Sequence, residues 1–170
     1  MTITLEQLNA ASAQDAARML DGLYEHSPWI AERALQRRPF KSLAQLKHAL
    51  VQVLAEAGRE AQLALIRAHP ELAGRAAIAG ELTAASSSEQ QGAGLLQCSP
   101  AEFARLQALN AAYRQRFGFP FVVAVRGLSR QAIIEQLATR LQATPAAEQR
   151  TALQQIARIA GWRLADRVAG

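Results

Sequence analysis

Three Ser/Thr–Pro pairs punctuate this chain, at Ser27-Pro28, Ser99-Pro100 and Thr144-Pro145. Such a pair is a helix start. The hydroxyl accepts a free backbone N–H of the first turn, and proline at the first helical position forfeits an N–H that has no partner there. Each pair leads into sequence rich in Ala, Leu, Gln, Glu and Arg, which are strong helix formers, and β-branched runs are nearly absent. Ser42 with Gln45, and Ser99 with Glu102, add capping-box spacing. Behind Ser42, the residues Leu43, Leu46, Leu50, Val53, Leu54 and Ala57 form one apolar stripe at helical period. Gly58 ends that helix, and REAQLALIRAH begins the next. The helix opened by Ser99 carries Phe103, Leu106, Asn110, Tyr113 and Phe117 on one face and closes at Gly118. Ser129 caps a further helix, and the last carries Leu153, Ile156, Ala160, Arg163 and Leu164 on one side. FPFVVAV at 119–125 is the one strand-like stretch. Lacking a partner strand, it reads as a buried extended connection. The expectation is an all-α fold: a single compact domain over residues 1–170, with about seven to nine helices.

Composition narrows the function classes. With 170 residues the chain can bury a real core. No apolar run approaches the ~20 residues of a membrane span, and MTITLEQLNA lacks the pattern of a signal peptide. A soluble cytoplasmic protein is expected. The single Cys98 excludes an internal disulfide and a multi-cysteine metal site. The 19 Lys+Arg against 14 Asp+Glu invite a nucleic-acid reading, but the arginines are scattered over the helices and aromatics are only 5%. A mildly basic surface equally suits a small anionic substrate.

Several residues carry chemistry. His69 precedes Pro70, and proline disfavours helix in the residue before it, so a helix should stop at or just before His69. The helix dipole there favours imidazolium and burial favours imidazole, which together place a titrating group near working pH. The alternative is a C-capping histidine without chemistry. In SSSEQ at 86–90, Ser86 and Glu89 have capping-box spacing. Either Glu89 caps the backbone, or Glu89 and Gln90 face a ligand at a helix start. Asn110 is polar on an apolar face. Arg163 shares a face with Ile156 and Ala160, so it needs a carboxylate, a ligand or a path to solvent. His26 and His48 read as structural, and Cys98 lacks an activating base. No H-x-x-x-H metal spacing and no phosphate loop is present.

EHSPWIAERALQRRPF at 25–40, AHPELAGR at 68–75, LTAASSSEQQGAGL at 82–95, LNAAYRQRFGFPFVVAVRG at 109–127 and IARIAGWRL at 156–164 resemble, in order and spacing, the successive motifs of the OHCU decarboxylase family. OHCU is 2-oxo-4-hydroxy-4-carboxy-5-ureidoimidazoline, the last intermediate between urate and allantoin. The resemblance implies an all-helical carboxy-lyase that uses no cofactor and works as a homodimer on a small anionic ureidoimidazoline; from composition and spacing, no metal, nucleic acid or membrane is expected.

It also implies a site. His69 and Glu89 would be catalytic. Pro70, Ser86 and Gln90, the backbone of Phe121, Val122, Val123, Ala124 and Val125, and Arg163 would bind substrate. Two other classes remain: a helical nucleic-acid binder, and a non-catalytic interaction module in which His69 and Glu89 are only caps.

Overall fold

The computed structural model describes residues 1–73 and 82–170. Gly74 and Arg75 of the AHPELAGR motif lie outside the described residues. Among those described there are nine α-helices: α1 Leu5–Ala10, α2 Ala13–Met19, α3 Trp29–Leu35, α4 Leu43–Glu56, α5 Arg59–Ala68, α6 Ala84–Gly92, α7 Pro100–Phe117, α8 Arg130–Arg140 and α9 Pro145–Arg167. A short 3-10 turn spans Leu95–Gln97. The all-α expectation holds. One element was not foreseen: β1 Ile3–Thr4 pairs in parallel with β2 Val168–Ala169. Strands of two residues carry no period by which to read them.

Most helix starts lie where the hydroxyls and prolines put them. Ser99 and Glu102 form the full capping box of α7, Ser129 accepts the Ala132 N–H, and Thr144 accepts the Ala147 N–H. Ser42 accepts from Gln45, but the Gln45 side chain reaches back to the Lys41 N–H instead of Ser42. At α3 the expected cap fails. Pro28 is the N-cap with no side-chain cap bond, and the Ser27 hydroxyl donates to the Glu25 carbonyl instead. α7 ends on Gly118 at φ 74, a left-handed conformation that glycine takes without Cβ strain.

Residue contacts divide the chain into two compact units, Met1–Leu65 with Ala157–Gly170, and Ile66–Ile156. The boundaries fall inside α5 and α9. The first unit buries Leu8, Ile30, Ala34 and, from the α4 stripe, Leu46, Leu50, Val53 and Leu54. Each of the Leu, Ile and Val side chains contributes about 1.5–3 kcal/mol.

The second unit is built around an aromatic cluster. Tyr113 meets Phe117, Phe119 and Phe121 at ring-centroid distances of 4.6, 6.0 and 5.4 Å. Phe119 and residues 121–125 belong to no helix or strand and are all buried, so the apolar stretch is the extended connection expected.

Candidate active site

α5 stops at Ala68, as the His69-Pro70 pair requires, and the His69 N–H still reaches the Ile66 carbonyl in a final tight turn. The imidazole is buried at 8% exposure. Pro70 then locks φ and turns the chain away from the helix axis.

The segment carrying Glu89 differs from both readings made above. Thr83 caps α6, its hydroxyl accepting the Ser86 N–H, and the helix runs from Ala84 to Gly92. Glu89 therefore lies beyond the first turn. It neither caps the helix nor sits among the free N–H groups of its start. Thr83 outcompetes Ser86 because the small helix formers Ala84 and Ala85 extend the helix by a turn. The result is a mid-helix face. Ser86 and Gln90, one turn apart, are buried at 5% and 3%, with Glu89 half-buried on their flank.

Gln90 is tied to the histidine segment. Its side-chain oxygen accepts the Ala73 N–H at 2.9 Å, and its amide nitrogen lies 3.5 Å from the Glu71 carbonyl. The structure thus brings α6 against the turn that follows His69-Pro70.

The 121–125 segment is held by polar groups of α7, α8 and α9, of which the sequence had singled out only Tyr113. Arg140 of α8 donates to the Val122 carbonyl at 2.7 Å and to Glu148 of α9 at 2.6 Å. Tyr113 donates to the same Glu148 oxygen at 2.5 Å. Burial, reinforced by this carboxylate, pushes the Tyr113 phenol far above its usual range, so it is a neutral donor at any working pH. Gln155 accepts the Ala124 N–H at 2.9 Å. These contacts fix Val122 and Ala124. Among the described residues, the N–H groups of Val122 and Val123 make no intramolecular hydrogen bond. Buried amides of this kind seek a partner.

His69, Pro70, Ser86, Glu89, Gln90 and residues 121–125 all belong to the second unit, whereas Arg163 belongs to the first. Its guanidinium is 3.0 Å from the Glu25 carboxylate, both groups nearly inaccessible, and 3.1 Å from the Gly22 carbonyl. The structural ion pair that the sequence left open is therefore present. A groove of about 850 Å³ in the first unit, lined by Gln14, Arg18, Asp21, Pro28, Glu32 and others, includes none of the expected site residues. No cluster of three or more metal-ligating side chains occurs among the described residues.

The OHCU decarboxylase profile matches residues 9–165. This chain belongs to the OHCU decarboxylase family. A 2-oxo-4-hydroxy-4-carboxy-5-ureidoimidazoline decarboxylase of Haloferax volcanii is 42% identical over 165 residues, covering 97% of this chain and 96% of that protein. The uric acid degradation bifunctional protein PucL of Bacillus subtilis is 40% identical over 163 residues, covering 96% of this chain but 32% of that longer protein. Among solved structures, an (S)-allantoin synthase superposes with a TM-score of 0.81 at 29% identity, over 98% of this chain and 54% of that one. The family match takes in the His69-Pro70 turn, α6 and the extended segment together.

Proposed function

We propose that this OHCU decarboxylase family member converts 2-oxo-4-hydroxy-4-carboxy-5-ureidoimidazoline to (S)-allantoin in urate degradation. The observation that carries the reading is the family match over residues 9–165, joined to a buried histidine at a proline-stopped helix end whose following turn is tied to α6. No helix among the described residues is long and apolar enough to cross a membrane. The reading extends to a cytoplasmic homodimer that acts on a small molecule and binds no nucleic acid.

The substrate bears a carboxylate and a hydroxyl on one carbon, next to a C=N bond. When the carbon–carboxylate bond breaks, its electron pair forms a C=C bond to the neighbouring carbon. The π pair of the C=N moves onto nitrogen, which takes a proton. CO₂ leaves. The hydroxyl then gives up its proton and becomes the ring carbonyl, and the neighbouring carbon accepts a proton on one face. The substrate is its own electron sink.

The protein's part is to orient the ring, manage two protons and choose the face. His69 is the acid–base group. Glu89 holds the hydroxyl and orients the ring. Ser86, Gln90 and Pro70 shape the wall beside it. The free amides within 121–125 hold ring and ureido oxygens, as the backbone there is fixed by Arg140 and Gln155. Apolar side chains at 121–125 favour loss of that carboxylate as neutral CO₂.

The test is to generate the substrate from urate with the two upstream enzymes and follow the circular dichroism of allantoin. The reading predicts rapid (S)-allantoin with this protein present. Racemic product at the spontaneous rate overturns it.

A further inference from the structure

We propose that Gln107 and Asn110 of α7 are positioning residues for His69, pinning the turn that follows the His69-Pro70 pair. The proposal rests on His69 being the acid–base group of the reaction above.

Gln107, Asn110 and Arg114 are spaced i, i+3 and i+7 and share one helical face. They meet consecutive residues of the turn in reverse order. Gln107 donates to the Ala73 carbonyl at 2.9 Å, and Asn110 donates to the Leu72 carbonyl at 3.1 Å. Arg114 pairs with the Glu71 carboxylate. α7 thus runs antiparallel to 71–73 and grips each residue of it. From α6, Gln90 takes the Ala73 N–H. Both backbone polar groups of Ala73 are satisfied by side-chain carboxamides from two different helices.

This turn requires holding. Ala73 sits at φ 50, in the left-handed region that residues other than glycine seldom enter. Such a conformation persists only where the surroundings over-determine it. Ala73 is also 2% exposed and Leu72 7%, so water offers their carbonyls little alternative. Asn110 itself is 3% exposed, and its side-chain oxygen has no hydrogen-bond partner among the described residues. Burying that acceptor is unfavourable, and it is offset by what the other end of the same amide does, which is to hold Leu72.

Between Ala73 and His69 stand only Leu72, Glu71 and Pro70, the last with its φ fixed by the ring. Little slack remains by which the imidazole could move independently of the clamp. Displacing a catalytic group by about 1 Å can cost ~10²-fold in rate. The clamp therefore acts on proton transfer and leaves ring recognition by 121–125 alone.

The experiment measures kcat, KM and melting temperature for the parent, Gln107→Glu, Asn110→Ala, Ala73→Gly and the double variant Gln107→Glu/Ala73→Gly. Gln107→Glu keeps size but removes the donor. We expect it to lower kcat roughly 10-fold or more, with KM changed by no more than about twofold. In the double variant, glycine adopts the left-handed conformation without strain, so most of the lost kcat should return relative to Ala73→Gly alone. A merely structural role would move the melting temperature without this rescue.

If Asn110→Ala fails to fold, the half-buried Gln107 decides the matter. An active parent whose folded Gln107→Glu variant keeps parental kcat, or a deficit that glycine at 73 does not relieve, overturns the proposal alone. A parent that forms no (S)-allantoin overturns the functional reading and this proposal with it.

Discussion

Arg140 donates to the carbonyl of Val122 at 2.7 Å while its guanidinium lies 4.4 Å over the ring of Phe121. Two consecutive residues of the proposed ring-binding segment are thereby held by one side chain, itself fixed by Glu148. A lysine cannot reproduce this fork, because its ammonium is a point charge without planar, bidentate geometry. Arg140→Lys should raise KM by about tenfold with a smaller effect on kcat, the signature of lost ground-state binding. Steady-state kinetics on freshly generated substrate check it.

His69→Asn keeps a hydrogen-bonding side chain that cannot exchange a proton near neutral pH. Turnover should fall by ~10²–10⁴-fold. The fold should survive, since Pro70 stops α5 whatever precedes it. Any lost dipole interaction costs only about 0.3–1 kcal/mol. Near-parental turnover, or a loss explained by unfolding, would remove His69 from the mechanism.

Glu89 now has a cleaner test than a capping residue would allow. Thr83 caps α6, so Glu89→Gln removes no cap, and the melting temperature should stay close to that of the parent. Activity should nonetheless be lost, because a neutral amide accepts the substrate hydroxyl in a weaker hydrogen bond than a carboxylate and can present its N–H there instead. Thr83→Ala is the matching control: it should cost ~1 kcal/mol of stability while activity per folded molecule persists.

Arg163 and Glu25 form a pair in which both side chains are almost fully buried. Arg163→Met should destabilise the protein by about 3–5 kcal/mol, because it takes a cation away from a buried carboxylate. The double variant with Glu25→Gln should recover much of this. Arg163→Lys preserves the charge. It should therefore lose less stability than Arg163→Met, which denaturation curves check.

Glu102 supplies a pH test. Its carboxyl is held below the usual carboxylate range, first by the backbone and side-chain hydrogen bonds with Ser99 and then by Arg130. A carboxyl with a lowered folded-state pKa stabilises the fold above its unfolded pKa of ~4.3. That contribution is lost as pH falls through the folded value. Glu102→Gln should therefore melt below the parent at pH 7, and the difference should close as pH is lowered through the acidic range.

Hydroxyl–proline pairs made the helix plan legible because their chemistry is local: the cap, the fixed φ and the missing N–H lie within a few residues. The helix stop just before His69 was legible for the same reason. Ser27 misled because a hydroxyl has more than one carbonyl in reach, and it chose Glu25. Glu89 was misplaced because Thr83 and Ser86 compete for one helix start. Asn110 gave a signal, a polar residue on an apolar face. Gln107, Arg140 and Glu148 gave none. Long polar side chains on helices usually face solvent, and their partners here lie 34, 18 and 8 residues away in sequence. Such pairings exist only once the helices have packed.

The first unit is discontinuous, and this sets an order on its making. A ribosome releases Glu25 and Ile3 long before Arg163 and Val168, across separations of 138 residues for the ion pair and nearly the whole chain for the β pairing. Residues 66–156 have all been synthesised while the first unit still lacks its closing segment. The unit that carries His69 can therefore collapse first. Until Leu164 and Val168 are in place, the first unit that buries Leu8, Ile30 and Leu46 stays incomplete, with apolar surface open to chaperones. A premature stop codon at position 157 would spare every proposed proton-transfer group and still yield a chain unable to complete its first unit.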